Sequence, residues 1–128
     1  MIVSITSSFS PLLMNEHVRG ETHIAAMGTD TKGKQEVEPQ LLARASVYTD
    51  EVAQSVSIGE AQHAVAEGLI SESDVGQIGA VINGTDPGRS SDDQITLFDG
   101  TGVGLQDLAV AASVVDLAVE QGRAIEVD

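Results

Sequence analysis

The stretch THIAAMGTDTKGKQE, residues 22–36, indicates the kind of fold that this chain adopts. It begins with an apolar run that ends at Gly28, a pattern typical of a buried strand entering a loop. Asp30 and Lys34 follow four residues apart, and Lys32 and Lys34 are the chain's only lysines. The loop is therefore either a solvated turn closed by a salt bridge or a site that binds an anionic ligand beside a carboxylate.

The rest of the chain alternates short apolar runs with helical patterns. We predict strands at residues 2–6, 22–27, 46–49 and 95–98, with a further short strand at 124–127. We predict helices at residues 39–45, 51–57, 60–67, 73–82 and 103–120, a turn or short helix at 11–15, and a turn-rich loop at 83–93. Strands alternating with helices favour an α/β fold with a mostly parallel sheet flanked by helices.

Polar or glycine-rich residues follow each of the first four predicted strands. They are Ser7 and Ser8, then residues 28–30, 49–50 and 99–101. In a parallel sheet the carboxyl ends of the strands share one edge, and ligands bind there. We therefore predict a binding site at this edge. The Ser7 and Ser8 hydroxyls could contact a ribose or phosphate, or could equally cap a turn.

Composition and charge exclude several classes of function. The 128 residues fit one domain, with twenty acidic and six basic side chains and a net charge of −14. A nucleic acid or an anionic membrane surface is not expected as a partner, because both need a basic protein surface. The acidity indicates either a solvated surface or adaptation to high salt. The absence of cysteine excludes disulfides, thiolate catalysis and cysteine-based zinc sites.

The N-terminal residues resemble neither a signal peptide nor a membrane span, which favours the cytoplasm. No metal is expected, because His17 and His63 have no partner at metal-ligand spacing. His23 lies within a strand, where a core or hydrogen-bonded histidine is favoured over a catalytic one.

Two further motifs have alternative interpretations. Residues 100–104 almost match the G-x-G-x-x-G dinucleotide motif, but Leu105 occupies the third glycine position, which favours a tight strand-to-helix turn. Arg89 could bind an anion or could fix its own loop by hydrogen bonds. The helix at 103–120 is apolar almost all round, which suggests that it is buried between domains or subunits.

Three segments together resemble a known family. They are GETHIAAMGTDTKGKQEVEPQLLARA at 20–45 followed by VYTDE at 47–51, GRSSDDQITLFDGTGVGLQDLAVAASVVDLA at 88–118, and VSITSSFSPLL at 3–13. The chain resembles the C-terminal portion of the ornithine cyclodeaminase/mu-crystallin family, and is closer to its alanine dehydrogenase-like branch. The resemblance implies the second half of a Rossmann-type NAD(P)-binding domain at residues 1–102. The helix and tail at 103–128 would pack on an N-terminal substrate and dimerisation domain absent from this sequence.

The resemblance also implies roles for individual residues. Asp30 matches the family's catalytic aspartate, near the substrate amine. The residues implied to contact the cofactor, NAD or NADP, are Lys34, Ser7, Ser8, Gly100 and Thr101. Two positions depart from the family pattern: Lys32 stands where proline is common, and Gly100 stands where serine is often found.

The implied reaction is NAD-dependent oxidation of a small L-amino acid to an imine. Hydrolysis, or cyclisation with ammonia release, would follow, with Asp30 as general base. The expected partners are the amino-acid substrate and either a second copy or a separately encoded N-terminal half. The alternative is a non-catalytic nucleotide-binding module or an inactive remnant of the mu-crystallin type. We expect the chain alone to turn over neither alanine nor ornithine with NAD.

Overall fold

A parallel sheet forms the centre of the computed structural model, which describes residues 1–125 and 127. The strands of these residues are β1 (Ile2–Ser4), β2 (Phe9–Leu13), β3 (His23–Ala26), β4 (Gln35–Val37), β5 (Ser46–Thr49), β6 (Val75–Gln77) and β7 (Thr96–Asp99). Five of them form the main sheet in the order β1-β3-β7-β5-β6, and every pairing is parallel. Strands β2 and β4 form a separate parallel pair. The predicted α/β class is confirmed.

Five α-helices accompany the sheet within the described residues. They are α1 (Pro39–Arg44), α2 (Val52–Ser55), α3 (Ala61–Ala66), α4 (Ile78–Ile82) and α5 (Gly104–Glu120). Short 3-10 helices occur at Asn15–His17 and Glu72–Asp74. Pro39 begins α1, where its missing N–H removes no helical hydrogen bond. None of these helices is both long and apolar enough to cross a membrane.

The hydrophobic core lies on one face of the main sheet. Ile24, Leu97 and Val47 are in register on neighbouring strands and are buried. Leu41 and Leu42 of α1 are fully buried in the same cluster. Each fully buried side chain of this kind contributes about 1.5–3 kcal/mol. The opposite face is less covered, since Val3 is exposed and Phe98 half-buried.

The prediction of a turn or short helix at residues 11–15 was wrong. Strand β2 runs through Pro11 to Leu13, and the 3-10 helix begins only at Asn15. Proline is tolerated here because β2 belongs to a two-stranded sheet whose register is irregular between Phe9 and Leu13. Its partner β4 was not predicted, because three residues carry too little periodicity to show a strand.

The prediction of one helix at residues 73–82 was also wrong. A 3-10 turn comes first, then β6, and α4 begins only at Ile78. A Cβ at Gly76 would lie 2.8 Å from Cδ1 of Tyr48, so the glycine allows β6 to lie against the Tyr48 ring. The predicted tail strand is not formed at residues 124 and 125, and Glu126 lies outside the described residues.

Helix α5 forms as predicted, but the described residues do not bury it. Its large apolar side chains are exposed, with Leu105 at 70% and Val114 at 59%. An apolar surface of this extent on one helix is typical of an interaction site.

Candidate functional site at the carboxyl ends of the strands

The carboxyl rim is the edge of the main sheet where its parallel strands end. Ser4, Ala26, Asp99 and Thr49 are aligned across β1, β3, β7 and β5. The loops after these strands therefore start side by side, as predicted. Two of them carry most of the predicted site residues: the Asp30 loop (residues 27–34) and the Gly100 loop (residues 100–103).

In the Asp30 loop, the predicted pair forms a salt bridge. Lys34 Nζ lies 2.7 Å from Asp30 Oδ1 and 3.4 Å from the Gly28 carbonyl oxygen. Hydrogen bonds from Lys34 and Thr31 hold the pKa of Asp30 below its usual range. The Asp30 side chain is 59% exposed, so an ionised carboxylate with an adjacent cation faces solvent at the rim.

Asp50, the residue after β5, fixes the Gly100 loop. Its Oδ1 accepts hydrogen bonds from the Thr101 N–H at 3.0 Å and the Thr101 hydroxyl at 2.6 Å, and Oδ2 accepts from the Gly102 N–H at 3.0 Å. Burial raises the pKa of Asp50, but these hydrogen bonds outweigh burial and leave the pKa below its usual value. An ionised carboxylate therefore defines the path of this loop.

At Gly102 the Gly100 loop presents its backbone, rather than a side chain, to solvent. The Thr101 side chain is buried and its hydroxyl points inward, toward Asp50 and Gln54. A Cβ at Gly102 would meet nothing within 4 Å. A flat ring could therefore approach the main chain closely at this point.

Ser7 and Ser8 lie in the loop after β1. Ser7 is exposed, while the Ser8 hydroxyl donates to the Ser10 carbonyl at 2.7 Å and accepts from the Ser10 N–H at 3.2 Å. This geometry is a local turn, one of the two interpretations that the sequence left open.

Glu36 is a buried carboxylate that fixes the start of the Asp30 loop. Its Oε2 accepts from the Gly28 N–H at 2.9 Å and the Ser4 hydroxyl at 3.1 Å. Its Oε1 accepts from the Thr6 N–H at 2.6 Å. Glu36 therefore joins the ends of β1 and β3, each of which leads into the rim.

Glu60, directly before α3, is a second buried carboxylate. It accepts hydrogen bonds from the Thr29 hydroxyl, from the Glu36 N–H at 2.8 Å and from the Val37 N–H at 3.1 Å. Burial raises its pKa, although these donors oppose the shift. All three donors lie on either side of the Asp30–Lys34 pair along the chain.

Asp99, the last residue of β7, is the third buried carboxylate. Oδ2 accepts from the Ser55 hydroxyl at 2.6 Å and from the Glu60 N–H at 2.9 Å, whereas Oδ1 is buried without a partner among the described residues. Burial, together with the nearby charges of Glu60 and Asp50, raises the pKa of Asp99 to about 7. We refer to Glu36, Asp50, Glu60 and Asp99 as the anchoring carboxylates.

The sequence did not predict Glu36 and Glu60 as part of the site. The only available signal was an acid beside small or apolar residues, Val37 in one case and Ala61 in the other. That signal is weak, because the amide donors come from segments remote in sequence.

Arg89 and His23 lie away from the rim, at the amino ends of the strands. Arg89 donates to the carbonyls of Thr22 at 3.2 Å and Gln94 at 2.6 Å, and to Thr96 Oγ1 at 3.0 Å, so it fixes its loop. His23 Nδ1 is 2.9 Å from Thr96 Oγ1, and burial and the Arg89 charge lower its pKa. Within the described residues no cluster of three potential metal ligands occurs.

The chain that carries this rim is similar to proteins of one known family. The family model described as "Ornithine cyclodeaminase/mu-crystallin family" matches residues 1–122. The chain is 72% identical to the iminosuccinate reductase of Paracoccus denitrificans over 128 residues, which is 100% of this chain and 40% of that protein. It is 41% identical to an alanine dehydrogenase of Archaeoglobus fulgidus over 122 residues, 94% of this chain and 38% of that protein.

Solved structures show the same relationship. The crystal structure of the Paracoccus denitrificans iminosuccinate reductase in complex with NAD⁺ superposes with a TM-score of 0.94 at 71% identity, over 99% of this chain and 39% of that chain. An archaeal alanine dehydrogenase dimer with bound NAD gives a TM-score of 0.90 at 39% identity, over 99% and 40%. The chain thus spans about 40% of the length of these relatives. It belongs to the ornithine cyclodeaminase/mu-crystallin family.

Proposed function

We propose that this chain forms one half of the dinucleotide-binding domain of an NAD-dependent oxidoreductase that interconverts a small α-imino acid and the corresponding α-amino acid. The observation that carries the proposal is the rim, where an exposed carboxylate–lysine pair lies beside a loop that offers open backbone. The 72% identity to an iminosuccinate reductase favours reduction of an imino dicarboxylic acid over the oxidation of alanine or the cyclisation of ornithine.

The rim fits a nicotinamide dinucleotide. The main chain of the Gly100 loop is accessible at Gly102, whereas Gly100 is buried beside the flexible end of Met27 and the Phe98 ring. Gly100, Thr101, Ser7, Ser8 and Lys34 are the residues that would hold the cofactor, with Thr101 and Ser8 acting through their main chain because their hydroxyls are engaged within the protein. When bound, NADH supplies a hydride to the imine carbon.

Asp30 would hold the nitrogen of the substrate. Its lowered pKa keeps it ionised at neutral pH, so it favours the protonated iminium, which accepts hydride more readily than a neutral imine. In the overall balance one imino acid, one NADH and one proton give one amino acid and NAD⁺. In the oxidative direction the same carboxylate would accept a proton from the attacking water or amine.

Lys34 would act by charge. It is 18% exposed and reaches both Asp30 and the Gly28 carbonyl, so it fixes the orientation of the carboxylate. A cation here also attracts an anionic ligand in a chain that is otherwise strongly acidic.

The test uses a chimeric reductase, in which this chain replaces its matching segment in the Paracoccus denitrificans protein. Iminosuccinate is formed in solution from oxaloacetate and ammonium, and NADH consumption is followed by absorbance. We expect turnover, and we expect Asp30→Asn to lower kcat by roughly 10²–10⁴-fold. The matched control is Asp92→Asn, an exposed acid away from the rim.

An inactive chimeric reductase beside an active parent would contradict the proposal, as would an Asp30→Asn variant with wild-type kcat. Calorimetric titration of the 128-residue chain with NAD tests the alternative of a non-catalytic nucleotide-binding module. Saturable binding together with an inactive chimeric reductase would indicate such a module.

A further inference from the structure

Glu60 and the residues next to it contact both loops of the rim. The Glu60 carboxylate accepts hydrogen bonds from Thr29, Glu36 and Val37, which bracket the Asp30–Lys34 pair along the chain. The Glu60 N–H donates to Asp99, the residue directly before the Gly100 loop. One residue thus contacts the first loop through its side chain and the border of the second through its backbone.

The first turn of α3 strengthens the contact with the Asp30 loop. Gln62 Oε1 accepts from the Gly33 N–H at 2.8 Å, and Gln62 Nε2 donates to the Lys34 carbonyl at 3.3 Å. His63 Nε2 lies 3.1 Å from the same carbonyl oxygen. Residues 60–63 therefore hold this loop both at Thr29 and at its end.

Gly59 allows the contact with the Gly100 loop. A Cβ at this position would lie 2.5 Å from Asp99 Oδ2 and 2.9 Å from Thr101 Cγ2. Only a residue without a side chain lets the chain before α3 approach the end of β7 this closely. The Glu60 N–H reaches Asp99 for this reason.

We infer that Glu60 is a positioning residue that couples the two loops of the rim, so that the Asp30 carboxylate keeps a fixed place relative to the nicotinamide-contacting backbone at Gly100 and Thr101. The catalytic part of this inference depends on the proposed function, whereas the coupling between the loops does not. Thr29 provides a gentler test than Glu60, because Thr29→Val removes one hydroxyl without changing a charge or the size of the side chain.

The first measurement uses hydrogen–deuterium exchange in the 128-residue chain and does not depend on activity. In Thr29→Val we expect faster amide exchange in the Asp30 loop and also at Thr101 and Gly102, which bond to Asp50 and not to the substituted residue. Thr29→Ser keeps the hydroxyl and should exchange as the wild type does. Glu60→Gln should show the same two-loop effect, and the exposed Glu67→Gln should show none. Faster exchange confined to residues 27–37 would overturn the coupling.

The second measurement uses the chimeric reductase. We expect Thr29→Val to lower kcat on the order of 10- to 100-fold, as a small misplacement of a catalytic group does, while KM for NADH changes less than about threefold. Thr29→Ser should restore kcat. Equal kcat in Thr29→Val and wild type, or equal losses in Thr29→Val and Thr29→Ser, would overturn the catalytic part. An inactive chimeric reductase refutes the proposed function, and the exchange experiment still decides the coupling.

Discussion

Three of the four anchoring carboxylates are almost fully buried: Glu36, Glu60 and Asp99 are each 1% exposed or less. From composition, the acidic residues were expected on a solvated surface, and for these three that expectation was wrong. Hydrogen bonds stabilise all three, and most of the donors taken together are backbone N–H groups of other segments, which no local pattern shows. The ion pair between Asp30 and Lys34 could be predicted because both residues lie in one short loop, and their roles in a site stay a prediction.

Asp99 should make the stability of the fold depend on pH. Its pKa is about 7 in the folded protein and about 3.9 when unfolded, so the folded state binds more protons between these values. The contribution of Asp99 to stability is therefore complete below about pH 4 and is lost as pH rises through about 7. Asp99→Asn keeps an acceptor for Ser55 and Glu60 but cannot ionise.

We expect urea denaturation to show that the free energy of unfolding of Asp99→Asn, relative to that of wild type, rises by a few kcal/mol between about pH 5 and about pH 8. Asp107→Asn, an exposed acid on α5, is the control and should keep a constant difference. Parallel pH profiles for Asp99→Asn and wild type would show that Asp99 does not titrate in this range.

Two glycines of the rim should differ in their tolerance of a side chain. A Cβ at Gly28 would lie 2.5 Å from the Thr6 backbone nitrogen and would also collide with the Thr6 carbonyl oxygen. A Cβ at Gly100 would collide with the far end of Met27, which is 41% exposed and can move, and would lie 3.4 Å from Cε1 of Phe98, an ordinary contact. Thermal unfolding should show a loss of about 3 kcal/mol or more for Gly28→Ala and less than about 1 kcal/mol for Gly100→Ala. Similar losses in both would contradict this distinction.

At the level of elements, local sequence predicted the parts whose apolar pattern is self-contained. Strands β1, β3, β5 and β7 and helix α5 were predicted within one or two residues. Strands β2, β4 and β6 were not, because each is short and depends on a partner elsewhere in the chain. The carboxyl rim could be predicted only because the strands that build it were among those with clear local patterns.

The loop at residues 83–93 depends on Arg89, which joins it to β3 and β7. Arg89→Lys replaces a planar group of five N–H donors with a single ammonium that cannot reach both sets of carbonyls. We expect a loss of about 1–3 kcal/mol in the free energy of unfolding and faster amide exchange in this loop. The exposed Arg123→Lys is the control. A stability equal to wild type would mean that backbone turns alone hold the loop.

At the scale of the whole molecule, we propose that α5 and the tail, residues 103–128, pack against the part of the full-length protein that lies outside this chain. This proposal places a boundary after residue 102, between the sheet domain and α5. The exposed leucines and valines of α5 support it, as does the finding that the chain covers 40% of its relative.

Val114→Asp tests that boundary. In the 128-residue chain Val114 is 59% exposed, so the free energy of unfolding should change by less than about 0.5 kcal/mol. In the chimeric reductase the same change should lower the melting temperature, because a charge would then be buried in an interface. Gln106 is already polar in the wild type, so Gln106→Asp should leave the stability of both proteins unchanged. An unchanged melting temperature for Val114→Asp in the chimeric reductase would exclude an interface at this face.

Most hydrogen bonds that the anchoring carboxylates accept come from the main chain, and this has an evolutionary consequence. Every residue except proline carries a backbone N–H, so the backbone hydrogen bonds that fix the loops at Gly28, Thr101 and Gly102 do not by themselves require a particular side chain. Lys32 is not among the residues that the anchoring carboxylates hold, so its side chain can change without altering these hydrogen bonds. Descendants of one ancestral fold can in this way inherit the loop geometry unchanged while they acquire new substrates.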